Sequence, residues 1–255
     1  MKTFVINLPR EVEKKQHITD ECERVGLDVE IYNAVDGSSL SEDFLRENVF
    51  DYENSFLTKG EIGCSLSHIN LYKRIIDENL PFALIMEDDA TFGNELVRFV
   101  SEFDNSTYVK DGIYLLTGDV SYVENRRETL SEFNIYPVRS AIRTTGYIIT
   151  HSAAKAMLKL LHPVRFEADM YEVFKKLSGV RIYATIPHII STNDKDKSKS
   201  SIQAERSLLV EKRDHYRGMV FKKMKREMKF SLKVSDIFWR VFIRKFERVK
   251  RYTQY

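Results

Sequence analysis

The sequence is poor in cysteine and has no long apolar run. Its two cysteines, Cys22 and Cys64, form no CxxC pair and no larger cysteine framework, which argues against a disulfide scaffold and favours a reducing compartment. The opening stretch MKTFVINLPR loses its apolar character at Asn7 and Pro9, too early for the hydrophobic region of a signal peptide. No window approaches the ~20 apolar residues that a membrane-spanning helix requires. We therefore expect a cytoplasmic protein whose contact with a membrane, if any, is peripheral.

Two phosphate-binding signatures are also missing. The chain contains no G-x-x-x-x-G-K-[ST] loop, and no G-x-G-x-x-G follows its first predicted strand. The first absence excludes the P-loop way of holding phosphates. The second argues against a dinucleotide-dependent oxidoreductase.

Charge is distributed unevenly along the 255 residues, although the net charge is only +2. From Glu211 to Tyr255 there are 15 basic and 5 acidic side chains, whereas the preceding 210 residues hold 25 basic and 33 acidic ones. An acidic body therefore carries a basic C-terminal region, which indicates an anionic partner for that region.

Hydrophobic periodicity predicts an α/β fold. The stretch TFVINL (3–8) is typical of a buried strand. The next segment is typical of a helix that stops near Gly26, and LDVEIYNAVDG is typical of a second strand. Strand, helix and strand in this order build a parallel sheet with helices packed on it. Thr58 and Glu61 form a capping box that starts another helix near Lys59. Further predicted elements are strands at 82–86, 112–118, 143–150 and 180–190, a helix at 151–162 and a polar loop at 192–201.

The stretch PFALIMEDDATF contains the candidate metal-binding carboxylates. An apolar strand (82–86) runs directly into Glu87, Asp88 and Asp89, and ligands of parallel sheets bind at the carboxyl ends of the strands. Such carboxylates suit Mg²⁺ or Mn²⁺, whose coordination is completed by water and substrate phosphate. An acidic turn that caps the next helix is the alternative. Sugar transfer and nucleotidyl transfer are the reactions that such a metal site would serve.

Several blocks of sequence resemble glycosyltransferase family 25, the lipooligosaccharide glycosyltransferases of Gram-negative bacteria and their collagen galactosyltransferase relatives. The resemblance covers roughly residues 1 to 190. It is carried by FVINLPR, YNAVDG, LTKGEIGCSLSHINLYKRII, LIMEDDATF, TTGYIITHSAAKAML and the acid of FEADM, in this order. It implies a GT-A-type, Rossmann-like fold with a mixed, mainly parallel sheet flanked by helices. It also implies a UDP-sugar donor, Mn²⁺ (or Mg²⁺), inversion at the anomeric carbon and a lipid-linked oligosaccharide acceptor, with galactose as the expected sugar.

The resemblance also assigns a donor site. It implies that Asp89 binds the metal and that Glu87 and Asp88 contact the ribose or a metal-bound water. The residues expected to bracket the uridine stand at the ends of the first two strands, where an ordinary strand exit and turn is the alternative: Asn7, Leu8, Arg10, Val35, Asp36 and Gly37.

The helix near Lys59 supplies further candidates. Gly60 and Gly63 lack side chains in its first turns, which lets a ligand approach the backbone amides, although close packing alone would also require glycine. His68 is a donor-binding candidate or else a hydrogen-bonded packing residue. Cys64 is expected to be a small buried hydrophobe. Later in the chain, His188 is a candidate second metal ligand.

Inverting transfer needs one general base that takes the proton of the acceptor hydroxyl. The resemblance implies that Asp169 in RFEADM is this base, and Asp119 and Glu167 are held in reserve. The alternative role of Asp169 is to cap the following helix, a position that favours aspartate.

The C-terminal region is expected to be separate from the body, with a catalytic domain at 1–200 and a basic amphipathic helical region at 201–255. Phe221, Met224 and Met228 share one helical face, and Ser235 and Asp236 are predicted to cap a second helix with an apolar face of Phe238, Phe242, Phe246 and Val249. Basic residues mixed with aromatic ones favour the headgroup region of an anionic bilayer, where each basic residue contributes about 1 kcal/mol.

The alternatives for this region are docking on the body or on a second copy of the chain, as in a homodimer. Nucleic acid is not expected, because no binding motif accompanies the charge. The sequence therefore indicates a glycosyltransferase on the cytoplasmic face of the bacterial inner membrane. A metal-dependent nucleotidyltransferase and a non-catalytic membrane-surface protein remain the alternatives.

Overall fold

A computed structural model describes residues 1–107, 109–192 and 203–253, with the backbone alone for 203–209. The strands within these ranges are β1 (Lys2–Asn7), β2 (Glu30–Asn33), β3 (Phe82–Glu87), β4 (Ala90–Phe92), β5 (Ile113–Leu115), β6 (Asp119–Val123), β7 (Glu128–Leu130), β8 (Phe133–Ile142), β9 (Gly146–Thr150), β10 (Ile182–Thr185), β11 (Ile190–Thr192) and β12 (Val249–Tyr252). The predicted loop at 192–201 falls almost wholly outside the described residues.

Ten strands form one sheet in the order β12-β6-β8-β10-β5-β9-β3-β1-β2, with β7 paired to β8, while β4 and β11 pair with each other. Strands β2, β1, β3, β5 and β10 run in one direction, and β9 is inserted antiparallel between β3 and β5. On the far side, β8, β6 and β12 continue the sheet with antiparallel pairs. The mixed α/β architecture expected from the sequence is confirmed, and its antiparallel edge is an addition that the sequence did not predict.

Nine α-helices flank the sheet in the described part of the chain: α1 (Val12–Val25), α2 (Glu42–Asn48), α3 (Tyr52–Ser55), α4 (Lys59–Asp77), α5 (Asn94–Asn105), α6 (His151–Leu161), α7 (Tyr171–Ser178), α8 (Gln203–Glu227) and α9 (Phe230–Phe238). The capping box predicted at the start of α4 is present. The Thr58 hydroxyl accepts from the Glu61 amide at 3.2 Å, and the Glu61 carboxylate accepts from the Thr58 amide at 2.9 Å. None of these helices combines the length and apolar character needed to cross a bilayer.

Strand β3 lies between two hydrophobic clusters, one on each face of the sheet. Ala83 and Ile85 belong to one cluster, and Leu84 and Met86 belong to the other. A strand buried on both faces reads as a continuous apolar run, which is why 82–86 could be recognised as central. This burial fixes where the three acids that follow it must lie.

The second predicted C-terminal helix has different limits in the structure. Ser235 and Asp236 lie inside α9 rather than at its start, and a π-helical turn (Trp239–Ile243) and a short 3₁₀ turn (Arg244–Phe246) continue it. Val249 is not helical, because it opens β12, which pairs antiparallel with β6. An edge strand left without a partner exposes a row of unpaired backbone groups, and β12 supplies that partner for β6.

Helix α8 packs on the body through both apolar and charged contacts. Tyr216 and Val220 are buried in the main core, and the predicted face of Phe221, Met224 and Met228 packs against it. The Arg213 side chain is 5% exposed, donates to Glu61 at 2.7 Å and lies 3.4 Å from Glu167, which also accepts from Arg217 at 2.6 Å. The C-terminal region thus contributes a buried ion network at the start of α4.

We expect Arg213→Met to lower the free energy of unfolding by ~3–5 kcal/mol, because it leaves the buried Glu61 and Glu167 carboxylates short of a cation. Urea unfolding at neutral pH measures the change. Arg46→Met is the matched control, since Arg46 pairs with Glu53 at the surface and surface pairs contribute little. Equal effects of the two substitutions would contradict the network.

Candidate active site

Glu87 ends β3 and is held from three sides. Its amide donates to the Thr145 carbonyl at 3.0 Å, its carboxylate accepts from the Thr144 hydroxyl, and the His68 Nε2 lies 3.6 Å from its Oε1. Burial alone would raise the pKa of Glu87, but the His68 and Thr144 contacts outweigh burial and leave this pKa below its usual value. Glu87 is therefore a carboxylate that stays ionised.

Asp88 faces the end of β1. Because Ile6 pairs with Glu87 in the parallel β1–β3 ladder, the next residue, Asn7, reaches the next acid, and its Nδ2 donates to Asp88 Oδ2 at 2.7 Å. Burial raises the pKa of Asp88, and the Asn7 hydrogen bond works in the opposite direction. Asn7 thus lies beside the acids of β3, while its role in binding uridine stays a prediction.

Asp89 is the least compensated of the three acids. The pairing of β11 with β4 puts Thr192 next to it, and the Thr192 hydroxyl donates to Asp89 Oδ2 at 2.6 Å. The other oxygen, Oδ1, is buried and has no hydrogen-bond partner among the described residues. Burial, followed by the charges of Glu87 and Asp88, raises the pKa of Asp89 to about 6. A hard divalent cation fits this oxygen, since it would replace the proton that the site otherwise favours.

The remaining donor-site candidates line the ends of β1 and β2. The Leu8 carbonyl accepts from the Glu11 amide, and Arg10 forms an ion pair with Asp36 at the surface. Asp36 also accepts from the Ser38 amide, and its pKa is lowered by Ser38 and Arg10. These residues form a polar edge beside Asn7.

Glycine is required where β2 leaves the sheet and meets α4. A Cβ on Gly37 would lie 1.7 Å from the Lys59 carbonyl oxygen, and a Cβ on Gly63 would lie 2.5 Å from the Val35 carbonyl oxygen. Close packing of two backbones therefore explains Gly37 and Gly63. Gly60 is half-buried in the first turn of α4.

His68 and Cys64 project from α4 toward the acids. His68 is 1% exposed, and its Nδ1 lies 2.7 Å from the Tyr147 hydroxyl, which in turn lies 2.9 Å from the Tyr72 hydroxyl. Cys64 is only half-buried, so its expected place among the buried hydrophobes was wrong. Cys64 lies near His68 because the two residues are four apart on one helical face, and Glu87 of β3 lies close to both.

Arg143, in the turn between β8 and β9, contacts two of the candidate bases, Asp169 and Asp119. The Arg143 amide donates to Asp169 Oδ2 at 3.3 Å, and its guanidinium lies 3.4 Å from Asp119 Oδ2. Arg143 has φ 82°, a strained conformation for a residue with a side chain, of the kind that concentrates at functional sites. Sequence reasoning missed Arg143 and Thr144, although Thr144 is the first residue of the TTGY block and Arg143 directly precedes it.

Tyr171 was also missed. It is buried, and its hydroxyl has no hydrogen-bond partner among the described residues. Burial raises its pKa well above the usual value, and nearby Tyr72, Asp169 and Glu87 raise it further. The Tyr171 amide donates to the Asp169 carbonyl at 2.8 Å, so Tyr171 adjoins the candidate base. No periodicity in the sequence marks such a residue.

Two of the candidate site residues, Glu167 and His188, make their contacts elsewhere in the structure. Glu167 accepts from Arg217 in the buried ion network of α8. His188 Nε2 donates to the Gly118 carbonyl at 2.9 Å, its ring packs edge-on against Tyr252, and burial lowers its pKa to about 4. Among the described residues, His188 forms no hydrogen bond or ion pair with the three acids, and its role as a metal ligand stays a prediction.

We expect Asp89→Asn to stabilise the metal-free protein at neutral pH. Folding raises the pKa of Asp89 from 3.8 to about 6. As pH rises, the unfolded chain therefore loses the Asp89 proton before the folded protein does. The free energy of unfolding falls between pH 3.8 and about pH 6 for this reason. Above about pH 6 the full penalty is present, on the order of 2 kcal/mol. Asparagine cannot ionise, so the variant avoids this penalty.

The measurement is thermal unfolding of chelator-treated protein from pH 4 to above pH 6. The difference between Asp89→Asn and the wild type should shrink to nothing at the acidic end and change sign when Mn²⁺ is added. Asp28→Asn, at an exposed position, should show neither effect. A pH-independent difference would contradict the raised pKa.

Residues 1–171 match the family described as glycosyltransferase family 25 (LPS biosynthesis protein). The chain is 28% identical to a putative glycosyltransferase of Haemophilus influenzae over 196 residues, 73% of this chain and 68% of the relative. It is 34% identical to a glycosyltransferase 25 family member of Drosophila melanogaster (63% of this chain, 27% of the relative) and 27% identical to human procollagen galactosyltransferase 2 (61% and 27%). The chain thus spans about a quarter of the length of these two animal relatives.

Among solved structures, the chain is similar to a glycosyltransferase involved in the glycosylation of the major capsid of PBCV-1, with 10% identity, a TM-score of 0.34 and coverage of 82% of this chain and 74% of the other. The family match covers well over half of the chain and includes β1, α4 and the acids that follow β3. This protein is a member of glycosyltransferase family 25.

Proposed function

We propose that this glycosyltransferase is a metal-dependent, inverting enzyme that transfers galactose from UDP-galactose to a lipid-linked oligosaccharide. The observation that carries the proposal is the buried, unpartnered Oδ1 of Asp89 at the carboxyl end of β3. The galactosyl donor and the lipopolysaccharide-type acceptor are suggested by the family description and by the names of relatives.

Donor binding would use the edge formed by β1, β2 and β3. Asp89 would hold Mn²⁺ or Mg²⁺, and the bound ion would neutralise the departing diphosphate. Asp88, fixed by Asn7, and Glu87 would face the ribose or the water of the ion. The strand ends at Leu8, Arg10, Val35 and Asp36 would bracket the uridine.

The general base would be Asp169. Its Oδ2 accepts a backbone hydrogen bond from Arg143 at 3.3 Å, and a carboxylate has further lone pairs for a substrate hydroxyl. In the proposed step, the acceptor oxygen bonds to the anomeric carbon, the bond from this carbon to the diphosphate breaks, and Asp169 takes the hydroxyl proton. Asp119 differs because the Arg143 guanidinium lies 3.4 Å from its carboxylate.

A screen of UDP-sugars tests the proposal. We expect slow release of UDP from UDP-galactose that requires Mn²⁺, and we expect Asp89→Asn to abolish it. With an oligosaccharide acceptor, Asp169→Asn should lower the transfer rate by ~10²–10⁴-fold, the usual contribution of a general base, whereas Asp119→Asn should have a smaller effect.

Asp28→Asn is the matched control for each acid, and thermal unfolding verifies that every variant is folded. If the protein hydrolyses only a different UDP-sugar, the sugar of that donor would replace galactose in the proposal. Full turnover by Asp89→Asn, or turnover unaffected by chelators, would overturn the metal-dependent mechanism.

The acceptor would be met at a membrane surface. The segment from α9 to Phe246 exposes large apolar side chains: Phe230, Ile237, Phe238, Val241, Phe242 and Phe246 are 52–80% exposed. Basic residues accompany them, including Lys229, Lys233 and Arg244. Apolar groups beside cations suit the headgroup region of an anionic bilayer, which would attract the cations and bury the aromatic rings. We therefore assign this surface to a peripheral membrane contact.

Flotation with liposomes tests this contact in the full-length chain, because a truncation would also remove Tyr216 and Val220 from the core. The double variant Phe242→Ser and Phe246→Ser should lose most binding to liposomes that contain anionic lipid, and binding should weaken at high salt. Phe44→Ser, an exposed aromatic on α2, is the control. Undiminished flotation of the double variant would exclude the assignment.

A further inference from the structure

Three side chains of different ligand types meet between α4 and the end of β3. Cys64 and His68 lie one turn apart on α4, and Glu87 is the last residue of β3. Their ligand atoms all lie within 4.8 Å of one another. Asp89 is not a member of this cluster, although Glu87 adjoins the proposed donor site as well.

The geometry of His68 is that of a metal ligand. Its ring is buried, its Nδ1 lies 2.7 Å from the Tyr147 hydroxyl, and its Nε2 has no hydrogen-bond partner among the described residues. A histidine that binds a metal donates the N–H of its other nitrogen to an oxygen. Nδ1–H can donate to Tyr147, whose own hydroxyl can donate to Tyr72 at 2.9 Å. The Nε2 lone pair then faces the cluster.

The separations allow one ion to be shared. Two ligands that each lie about 2.0–2.2 Å from zinc must lie within roughly 4 Å of each other, and His68 Nε2 is 3.6 Å from Glu87 Oε1. The Cys64 sulfur lies within 4.8 Å of both ligand atoms and would move closer to them to enter the same coordination shell.

Ligand chemistry determines which ion would bind. A thiolate, an imidazole and a carboxylate form a borderline-soft set that favours Zn²⁺, or Co²⁺ in its place, over Mn²⁺ and Mg²⁺. Three protein ligands leave a fourth position open for water or another ligand. We propose that Cys64, His68 and Glu87 form a second metal site that takes a zinc-class ion next to the proposed donor site.

Cobalt titration of the chelator-treated, full-length protein tests this site without reference to activity. We expect Co²⁺ to produce the near-ultraviolet absorption of a thiolate-to-cobalt charge transfer, saturating near one equivalent. Zn²⁺ should remove this absorption, and the same concentration of Mn²⁺ should not. Wild-type protein that gives no such absorption would overturn the proposal.

Variants assign the ligands. Cys64→Ser should lose the charge-transfer absorption, and Cys22→Ala should retain it because Cys22 is buried elsewhere, on α1. Asp89→Asn should also retain it, since Asp89 belongs to the proposed donor site. Absorption that persists in Cys64→Ser, or that disappears in Asp89→Asn while the protein stays folded, would disprove the site. Failure of the UDP-sugar assay would leave this result unaffected, so the two proposals are tested separately.

Discussion

The repulsion among Glu87, Asp88 and Asp89 is the constraint on which the site depends. Burial of β3 on both faces forces these three consecutive acids into partly buried positions at one edge of the sheet. Each acid is compensated by a different element. Glu87 is compensated by His68 of α4 and Thr144, and Asp88 by Asn7 of β1. Asp89 accepts from the Thr192 hydroxyl, but its Oδ1 has no partner among the described residues and its pKa is raised.

The order of the strands determines which side chains reach these acids. Parallel pairing of β1 with β3 brings Asn7 to Asp88, and insertion of β9 beside β3 brings Thr144 and Tyr147 to Glu87 and His68. The strained Arg143 then connects this turn to both Asp119 and Asp169. The candidate base is thus tied, through one turn, to the segment that contacts the acids of β3.

Those parts of the fold that depend on local pattern could be predicted from the sequence. Strand β3 is a continuous apolar run, and the start of α4 follows from the capping box of Thr58 and Glu61. Strand β8 could not be recognised, because every third residue is buried rather than every second and Pro137 lies within it. Strand β12 is nearly all exposed, so it lacks a hydrophobic signal.

The same division holds for the candidate site. The three acids and Asn7 follow directly from strands that could be read in the sequence. The contacts of Arg143 and Thr144 depend on the place of β9 within the sheet, and the order of strands is not encoded in any local period. Cys64 was assigned to the core because cysteine is usually buried, whereas its neighbours His68 and Glu87 come together only in the folded chain.

The C-terminal region lies beyond residue 171, where the family match ends, yet it is joined to the site by charge. Arg213 compensates Glu61, whose other oxygen caps α4, and Arg217 compensates Glu167, two residues before Asp169. Either carboxylate buried alone would bear the cost of desolvation without a partner. A different C-terminal region on the same body would therefore need cations at these positions, or the body would need to replace both glutamates.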